Sequence, residues 1–304
     1  MQEREEKMNR ANLILLSKYH IYCRQEKFEF KLDLDIFKYH ITNHKIEITI
    51  ESEKDFETIQ NLFFRQYQLL FYIIGDYLEI KKIQFYQNEK EISSQFDDTK
   101  HLKKFYTNKT FIHDNQLAII DGSNFANAII RLSGFAEKDV SGVFNSFEYL
   151  HCKAYNGILI NHRFLLSTHI IEGFCNRFCT KKEYKNTYNT KACYFYQNLF
   201  DKITSNNIDV FKILEMDETT FIKSIHDTRD VQTHLISGEK KSNYIKDGVD
   251  LIYLFFLFSV AFRLNILKMI DVEIDNSLAQ KEIMSIRNWI AKIKMKSFYN
   301  FPTP

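Results

Sequence analysis

Alternation of apolar and polar residues within the first fifty positions is the feature that most constrains the fold. The apolar positions of two runs are Phe28, Phe30, Leu32 and Leu34, followed by Ile46, Ile48 and Ile50. A period of two over such runs is typical of half-buried β-strands. Thr42-Asn43-His44 between the runs predicts a turn, so this part of the chain contains a sheet.

A helix and further strands are predicted next. From Phe56 to Ile74 the apolar residues keep helical spacing, and Gly75 marks the end of the helix. Strand candidates follow at 78–86, 91–92, 111–112 and 117–120. Residues 1–135 therefore predict a mixed α/β domain, and the polar, glycine-containing segment 133–142 predicts a domain boundary.

Helical spacing replaces alternation after this boundary. The predicted helices cover 156–178, 191–203, 242–268 and 275–296, and one more begins at Glu218 after the capping residue Asp217. The helix over 242–268 is apolar on nearly all sides, so it must be covered by several helices or by another subunit. The predicted fold class is α+β, with an N-terminal sheet-containing domain followed by an all-α helical bundle over residues 143–304.

Composition favours a cytoplasmic protein. The net charge of +2 is low for a protein that coats nucleic acid, so any RNA contact must be local. Five cysteines form an odd set without a disulfide framework, which fits a reducing compartment. The charged segment Met1–Arg10 does not resemble a signal peptide. The most apolar run, Leu251–Phe262, is too short to span a bilayer, so we expect no membrane association.

Metal and cofactor motifs are weak. Cys175 and Cys179 share a helix face, with His169 six residues before Cys175, but no second pair follows at ligand spacing. Buried free thiols are therefore the favoured interpretation. The sequence has no Walker A loop, no G-x-G-x-x-G loop and no serine-nucleophile elbow. We expect neither a cofactor nor a metal.

Arg229 and His234 form the candidate catalytic pair. RNA carries its own nucleophile, the 2′-hydroxyl, so a protein need only move protons and stabilise charge on the phosphate. Histidine as a residue type titrates near neutral pH, so His234 can serve as base or acid. Arg229 stays charged, and its donors match phosphate oxygens. The alternative is structural: Arg229 as a solvated cation at a helix end and His234 as a C-terminal cap.

Five positions separate the two side chains by roughly 140° around a straight helix. They do not share a face of such a helix. Either the helix ends near Thr233 and His234 turns back, or the site needs a second copy of the motif.

The Arg-x4-His spacing followed by a long apolar helix resembles the HEPN domains, and most closely the ApeA-like HEPN module of bacterial defence proteins. The resemblance covers roughly residues 143–270. It implies a metal-independent RNA endonuclease in antiphage defence, with transfer RNA as the target by analogy. It also implies a homodimer, a phage-derived trigger, and a sensor or regulatory role for the N-terminal domain.

The resemblance also assigns neighbouring residues. Asp230 follows Arg229 where the commonest motif has Asn, and it either orients the pair or neutralises Arg229. Glu172 lies where HEPN modules often carry an acidic residue, and it either holds Arg229 or is a helix-surface carboxylate. An alternative for the whole chain is a non-catalytic scaffold that dimerises and holds RNA or protein.

Three basic residues around the motif are candidates for substrate binding. Lys240 and Lys241 lie just beyond it, and His226 lies about one turn before Arg229. The alternative for the lysines is a solubilising loop, and for His226 an ordinary helix residue beside the core.

Overall fold

The structure is a computed structural model that describes residues 9–17, 20–75, 78–87, 89–92, 116–139, 142–150, 159–178, 191–204, 208–214, 217–234, 241, 243–245 and 248–299. Its six strands are β1 (Asn9–Leu16), β2 (Lys27–Leu32), β3 (Asp35–Thr42), β4 (Lys45–Ser52), β5 (Glu79–Gln87) and β6 (Lys90–Ile92). They pair antiparallel in the order β2-β3-β4-β1-β5-β6. An N-terminal sheet followed by helices confirms the predicted α+β class.

The alternating pattern arises because one face of the sheet lies against the core. Alternate residues are buried in β1, β3 and β4. The prediction for Leu34 was wrong: β2 ends at Leu32, and Leu34 is 70% exposed in the turn that follows. Asp33 adopts a positive φ of 55° there, which carries the chain out of the strand before Leu34 can join its apolar side.

Nine helices are described. They are α1 (Phe56–Ile74), α2 (Gly122–Lys138), α3 (Val143–Leu150), α4 (Ile160–Phe178), α5 (Lys191–Thr204), α6 (Val210–Leu214), α7 (Glu218–His234), α8 (Gly248–Met269) and α9 (Asn276–Tyr299). The predicted limits of α1 are confirmed: Asp55 accepts a hydrogen bond from the Thr58 amide, and Gly75 ends the helix with a φ of 85°.

The chain divides into two compact units. The first contains the sheet, α1, α2 and Leu267–Ile274, and the second contains α3 to α7, α9 and most of α8.

In the first unit, α2 places Phe125 against the rings of Phe28 and Tyr39. A side chain at Gly122 would collide with the Phe28 ring, because its Cβ would lie 2.5 Å from that ring. The strand predicted at Leu117–Ile120 does not form, and Ile120 makes only an isolated bridge with Cys23. The strand candidate at 111–112 lies outside the described residues.

The helix α2 was missed by the sequence analysis. It runs through Ser133 and Gly134, which had been assigned to a polar boundary segment. Only Phe125, Ala128, Ile129 and Leu132 are buried along it, so its apolar stripe is short.

In the second unit, α8 is buried on most sides. It is long and apolar enough to cross a membrane by length and composition, but 83% of its most apolar window is buried inside the protein. Helices of the same chain therefore provide its cover, and its apolar surface no longer argues for a second subunit. α8 begins at Gly248 rather than at Ser242 as predicted, and Asn243–Ile245 are not helical.

Candidate active site

The helix α7 carries both members of the Arg229–His234 pair. Asp217 caps it by accepting hydrogen bonds from the Thr220 amide and hydroxyl, each at 2.8 Å. Its apolar stripe is buried and contains Phe221, Ile222, Ile225 and Val231. The stripe fixes the rotation of α7, and Arg229 therefore lies at the boundary between core and solvent.

Arg229 lies against Glu172 of α4. Its Nε is 3.4 Å from Oε1 and its Nη2 is 3.4 Å from Oε2 of that carboxylate. The two side chains are 21% and 20% exposed, so water can still reach the pair. Burial favours a lower pKa for Arg229, but the charge on Glu172 and neighbouring groups raises that pKa overall. The guanidinium is therefore a permanent cation.

Tyr196 of α5 holds the Glu172 carboxylate from the other side. Its hydroxyl donates a hydrogen bond of 2.7 Å to Glu172 Oε1. Burial, and then the adjacent charge on Glu172, raise the pKa of Tyr196 well above its usual value, so the hydroxyl keeps its proton. Three helices thus converge on one carboxylate, which fixes where the Arg229 guanidinium lies.

Asp230 has cations on two sides. Its Oδ1 lies 3.3 Å from Arg229 Nη1, and its Oδ2 lies 3.0 Å from Lys241 Nζ. His226 Nε2 is 3.6 Å from the same Oδ2, and His226 Nδ1 is 3.5 Å from Asp227 Oδ1. Burial would raise the pKa of Asp230, but the Lys241 hydrogen bond and the charges of His226 and Lys241 lower it overall. Asp230 is therefore an anion beside Arg229.

A short segment, residues 241 and 243–245, lies along α7 and is called the strap below. The amide and side chain of Asn243 donate to Asp227 Oδ2 at 3.4 and 3.3 Å. The Ile245 amide donates to Thr228 Oγ1 at 3.0 Å. Lys241 also lies 3.6 Å from Asp227 Oδ1. The strap replaces the first turns that the sequence had predicted for the next helix.

His234 is the last residue of α7 and is exposed. Because α7 stays helical through His234, the side chains of Arg229 and His234 leave the helix roughly 140° apart. His234 is itself helical and does not turn back towards Arg229, so the first of the two arrangements considered from the sequence does not occur. Within the described part of the chain, His234 makes no hydrogen bond or ion pair. One copy of α7 does not bring the pair together.

Two buried polar groups beside this network lack hydrogen-bond partners among the described residues. One is Nε of Arg229, which is near Glu172 Oε1 but makes no hydrogen bond with it, and the other is the side-chain amide of Gln232. Unpaired buried donors are uncommon, because each one loses its bonds to water without replacement.

The remaining candidates are a substrate-binding lysine and the two cysteines that could have been metal ligands. Lys240 lies outside the described residues, as does Cys179. Cys175 is a buried thiol, and its Sγ donates a hydrogen bond of 3.3 Å to the Phe195 carbonyl oxygen. Within the described ranges, no group of three or more His, Cys, Asp or Glu side chains could hold a metal ion.

Three side chains of the network were not predicted from the sequence. Tyr196 lies in the helix predicted over 191–203, and nothing in its local sequence distinguishes it from the other 16 tyrosines. Asn243 was placed inside a helix. Asp227 could have been found, because it lies three residues before Asp230 and so shares its side of a helix.

Comparison with known proteins identifies the family of the helical part. The family model described as Apea-like HEPN matches residues 141–276. The matched segment includes Glu172, Arg229, Asp230 and His234, together with the strap. Comparisons with curated proteins and with solved structures gave no significant match.

Proposed function

We propose that this chain, whose residues 141–276 match the Apea-like HEPN family model, is a metal-independent RNA endonuclease of antiphage defence. HEPN domains are often ribonucleases. Arg229 and His234 are the proposed catalytic residues, and Asp230 is their orienting neighbour. The proposed domains are a sensor or regulatory domain over residues 1–135 and the HEPN domain over residues 143–304.

The observation that carries this proposal is the state of Arg229. Its guanidinium is held in place by Glu172 at 3.4 Å, yet its Nε is buried without a hydrogen bond among the described residues. A phosphate that becomes five-coordinate carries more negative charge on its non-bridging oxygens, and a positioned guanidinium stabilises that charge.

The proposed reaction uses the ribose next to the cleaved bond. A His234 imidazole removes the proton of the 2′-hydroxyl, and the resulting oxygen attacks the adjacent phosphorus. Arg229 stabilises the charge on the phosphate oxygens as the bond to the 5′-oxygen breaks. An imidazolium donates a proton to that leaving oxygen. The products are a 2′,3′-cyclic phosphate and a 5′-hydroxyl, so no water is consumed in this step.

In this proposal, a second copy of the chain brings an arginine and a histidine to the same cleft. Arg229 and His234 of one α7 diverge, whereas two copies of α7 facing one cleft would contribute two of each group. Such a cleft would contain one imidazole to act as base and another to act as acid. The proposed assembly is therefore a homodimer, and HEPN domains typically dimerise.

Target and control are proposed from family likeness. Transfer RNA is the proposed substrate, and a phage-derived component is the proposed trigger that relieves inhibition by the N-terminal domain. The mostly buried α8 fits a cytoplasmic protein that uses no membrane anchor.

One observation favours a second candidate, a HEPN scaffold that binds RNA or protein without cutting it. Arg229 lies within 3.4 Å of two carboxylates, Glu172 and Asp230, which compete with phosphate for its donors. If both contacts persist when RNA binds, Arg229 cannot stabilise the reacting phosphate.

Cleavage of RNA in EDTA by matched variants tests the proposal. The unmodified protein and His234→Ala are each incubated with total RNA, with and without an extract of phage-infected cells. General acid–base groups contribute roughly 10²- to 10⁴-fold to rates, so His234→Ala should lose at least about a hundredfold. The measurement is the yield of fragments that end in a cyclic phosphate.

His162→Ala is the control, because His162 is an exposed histidine on α4. It should cleave at the rate of the unmodified protein. Equal cleavage by His234→Ala would remove the catalytic assignment. RNA binding without cleavage under all of these conditions would favour the scaffold.

A further inference from the structure

Lys241 faces carboxylates as well as solvent. Its Nζ is 3.0 Å from Asp230 Oδ2 and 3.6 Å from Asp227 Oδ1, and its side chain is 27% exposed. We infer that Lys241 is a positioning residue that neutralises Asp230, so that the positive charge of Arg229 remains available to a phosphate. This inference rests on the proposed function for its reaction, but it concerns the charge at the site.

The charges of the network show why such a residue is needed. Three carboxylates, Glu172, Asp227 and Asp230, surround two permanent cations, Arg229 and Lys241, which gives a formal charge of −1 when His226 is neutral. Without Lys241 the formal charge would be −2. An anionic substrate is repelled more strongly in the second case, and Asp230 would then have Arg229 as its main cationic partner.

The strap fixes Lys241 in this place. Asn243 donates two hydrogen bonds to Asp227, and the Ile245 amide donates to the hydroxyl of buried Thr228. That hydroxyl in turn donates to the Ser224 carbonyl at 2.6 Å. The backbone on the C-terminal side of Lys241 is thus anchored to α7 itself, the helix that carries Arg229. A lysine that acted only as a mobile RNA contact would not need this anchoring.

Neutralisation of Asp230 by Lys241 can be distinguished by experiment from two other roles of this lysine. If Lys241 binds RNA directly, removing the charge of Asp230 should not restore RNA affinity to a variant that lacks Lys241. If Lys241 only stabilises the fold, the RNA affinity of the folded Lys241→Met variant should not fall. If Lys241 neutralises Asp230, the double variant regains the formal charge of the unmodified site. Second-site rescue therefore separates the three roles.

The experiment compares Lys241→Met, Asp230→Asn and the double variant with the unmodified protein. RNA affinity is measured with a fluorescein-labelled RNA of mixed sequence whose riboses carry 2′-O-methyl groups, so that it cannot be cut. Cleavage is measured in parallel on the same RNA with free 2′-hydroxyls. Lys223→Met is the control, because Lys223 is an exposed cation of α7 near Asp217.

Lys241→Met should weaken RNA affinity and cleavage by about tenfold, as expected for the loss of one partner of a half-buried charge pair. Asp230→Asn alone should bind RNA more tightly than the unmodified protein. The double variant should return to within about threefold of the unmodified protein, and Lys223→Met should change affinity by less than about twofold.

The inference would be overturned if the double variant bound RNA as weakly as Lys241→Met does. It would also be overturned if Lys241→Met bound RNA with the affinity of the unmodified protein. An absence of RNA binding by the unmodified protein would overturn it as well. If no protein cleaves RNA but the affinities follow the expected pattern, the nuclease proposal fails while the role of Lys241 stands.

Discussion

Two clusters of charged side chains, one in each compact unit, are built in different ways. In the sheet, the Asp35 cluster consists of Asp35, Ser52 and Lys54. Asp35 is 1% exposed, and its two oxygens accept from Ser52 Oγ at 2.5 Å and from Lys54 Nζ at 2.7 Å. Each oxygen thus has a close donor.

The Arg229 cluster consists of Glu172, His226, Asp227, Arg229, Asp230 and Lys241. The contacts of Arg229 in it are 3.3 to 3.4 Å long, and its Nε lacks a hydrogen bond within the described part of the chain. Its charged side chains keep between 13% and 27% exposure. The contacts of the Asp35 cluster are short and use both carboxylate oxygens. The contacts of Arg229 are longer, and its donors are therefore less firmly engaged. The difference is consistent with the proposal that the Arg229 cluster is the functional one.

The largest expected effect is that of Arg229→Met on catalysis. Removing a positioned donor that stabilises transition-state charge costs about 10²- to 10³-fold in rate, so cleavage should fall by that factor. The free energy of unfolding should change by less than about 1 kcal/mol, because the ion pairs are long and partly exposed. Cleavage assays and urea unfolding measure the two quantities. A large decrease in the free energy of unfolding of Arg229→Met would show that the Arg229 cluster, like the Asp35 cluster, mainly stabilises the fold.

The opposite pattern is expected of Lys54→Met in the sheet. This change leaves the buried Asp35 carboxylate without its cationic partner, which should lower the free energy of unfolding by about 1–3 kcal/mol. RNA cleavage per folded chain should be unaffected. The urea midpoint reports the stability, and a loss of cleavage by the folded variant would show that the Asp35 cluster also serves the reaction.

A smaller effect is expected of Tyr196→Phe. Without the 2.7 Å hydrogen bond from Tyr196, Glu172 is free to pair more closely with Arg229. Cleavage should fall by roughly three- to tenfold, mainly through a higher KM, because the guanidinium binds phosphate less well. Steady-state kinetics test this expectation, with Tyr22→Phe, an exposed tyrosine of the first unit, as the control. An unchanged KM with a lower kcat would contradict it.

The strands were predictable because burial on one face of a sheet imposes a visible period, as in Ile46 to Ile50. The helix α2 was not predictable, because only four of its residues are buried and because Gly122 and Gly134 weaken the helical pattern. In the site, the spacing of Arg229 and His234 is visible in the sequence.

The supporting contacts of the site were harder to predict. Glu172 was proposed only through family resemblance, and its contact with Tyr196 depends on how α4 and α5 pack. The strap was taken for helix because Ile245 and Val249 fit a helical period.

Dependence of cleavage on the 2′-hydroxyl tests the central claim most directly. One RNA of mixed sequence is compared with its 2′-deoxy counterpart in EDTA, and the fragment ends are identified by mass spectrometry. The account predicts that only the RNA is cut, with 2′,3′-cyclic phosphate and 5′-hydroxyl ends, and that His234→Ala removes this activity. Cutting of the deoxy strand, or ends produced by attack of water, would contradict it.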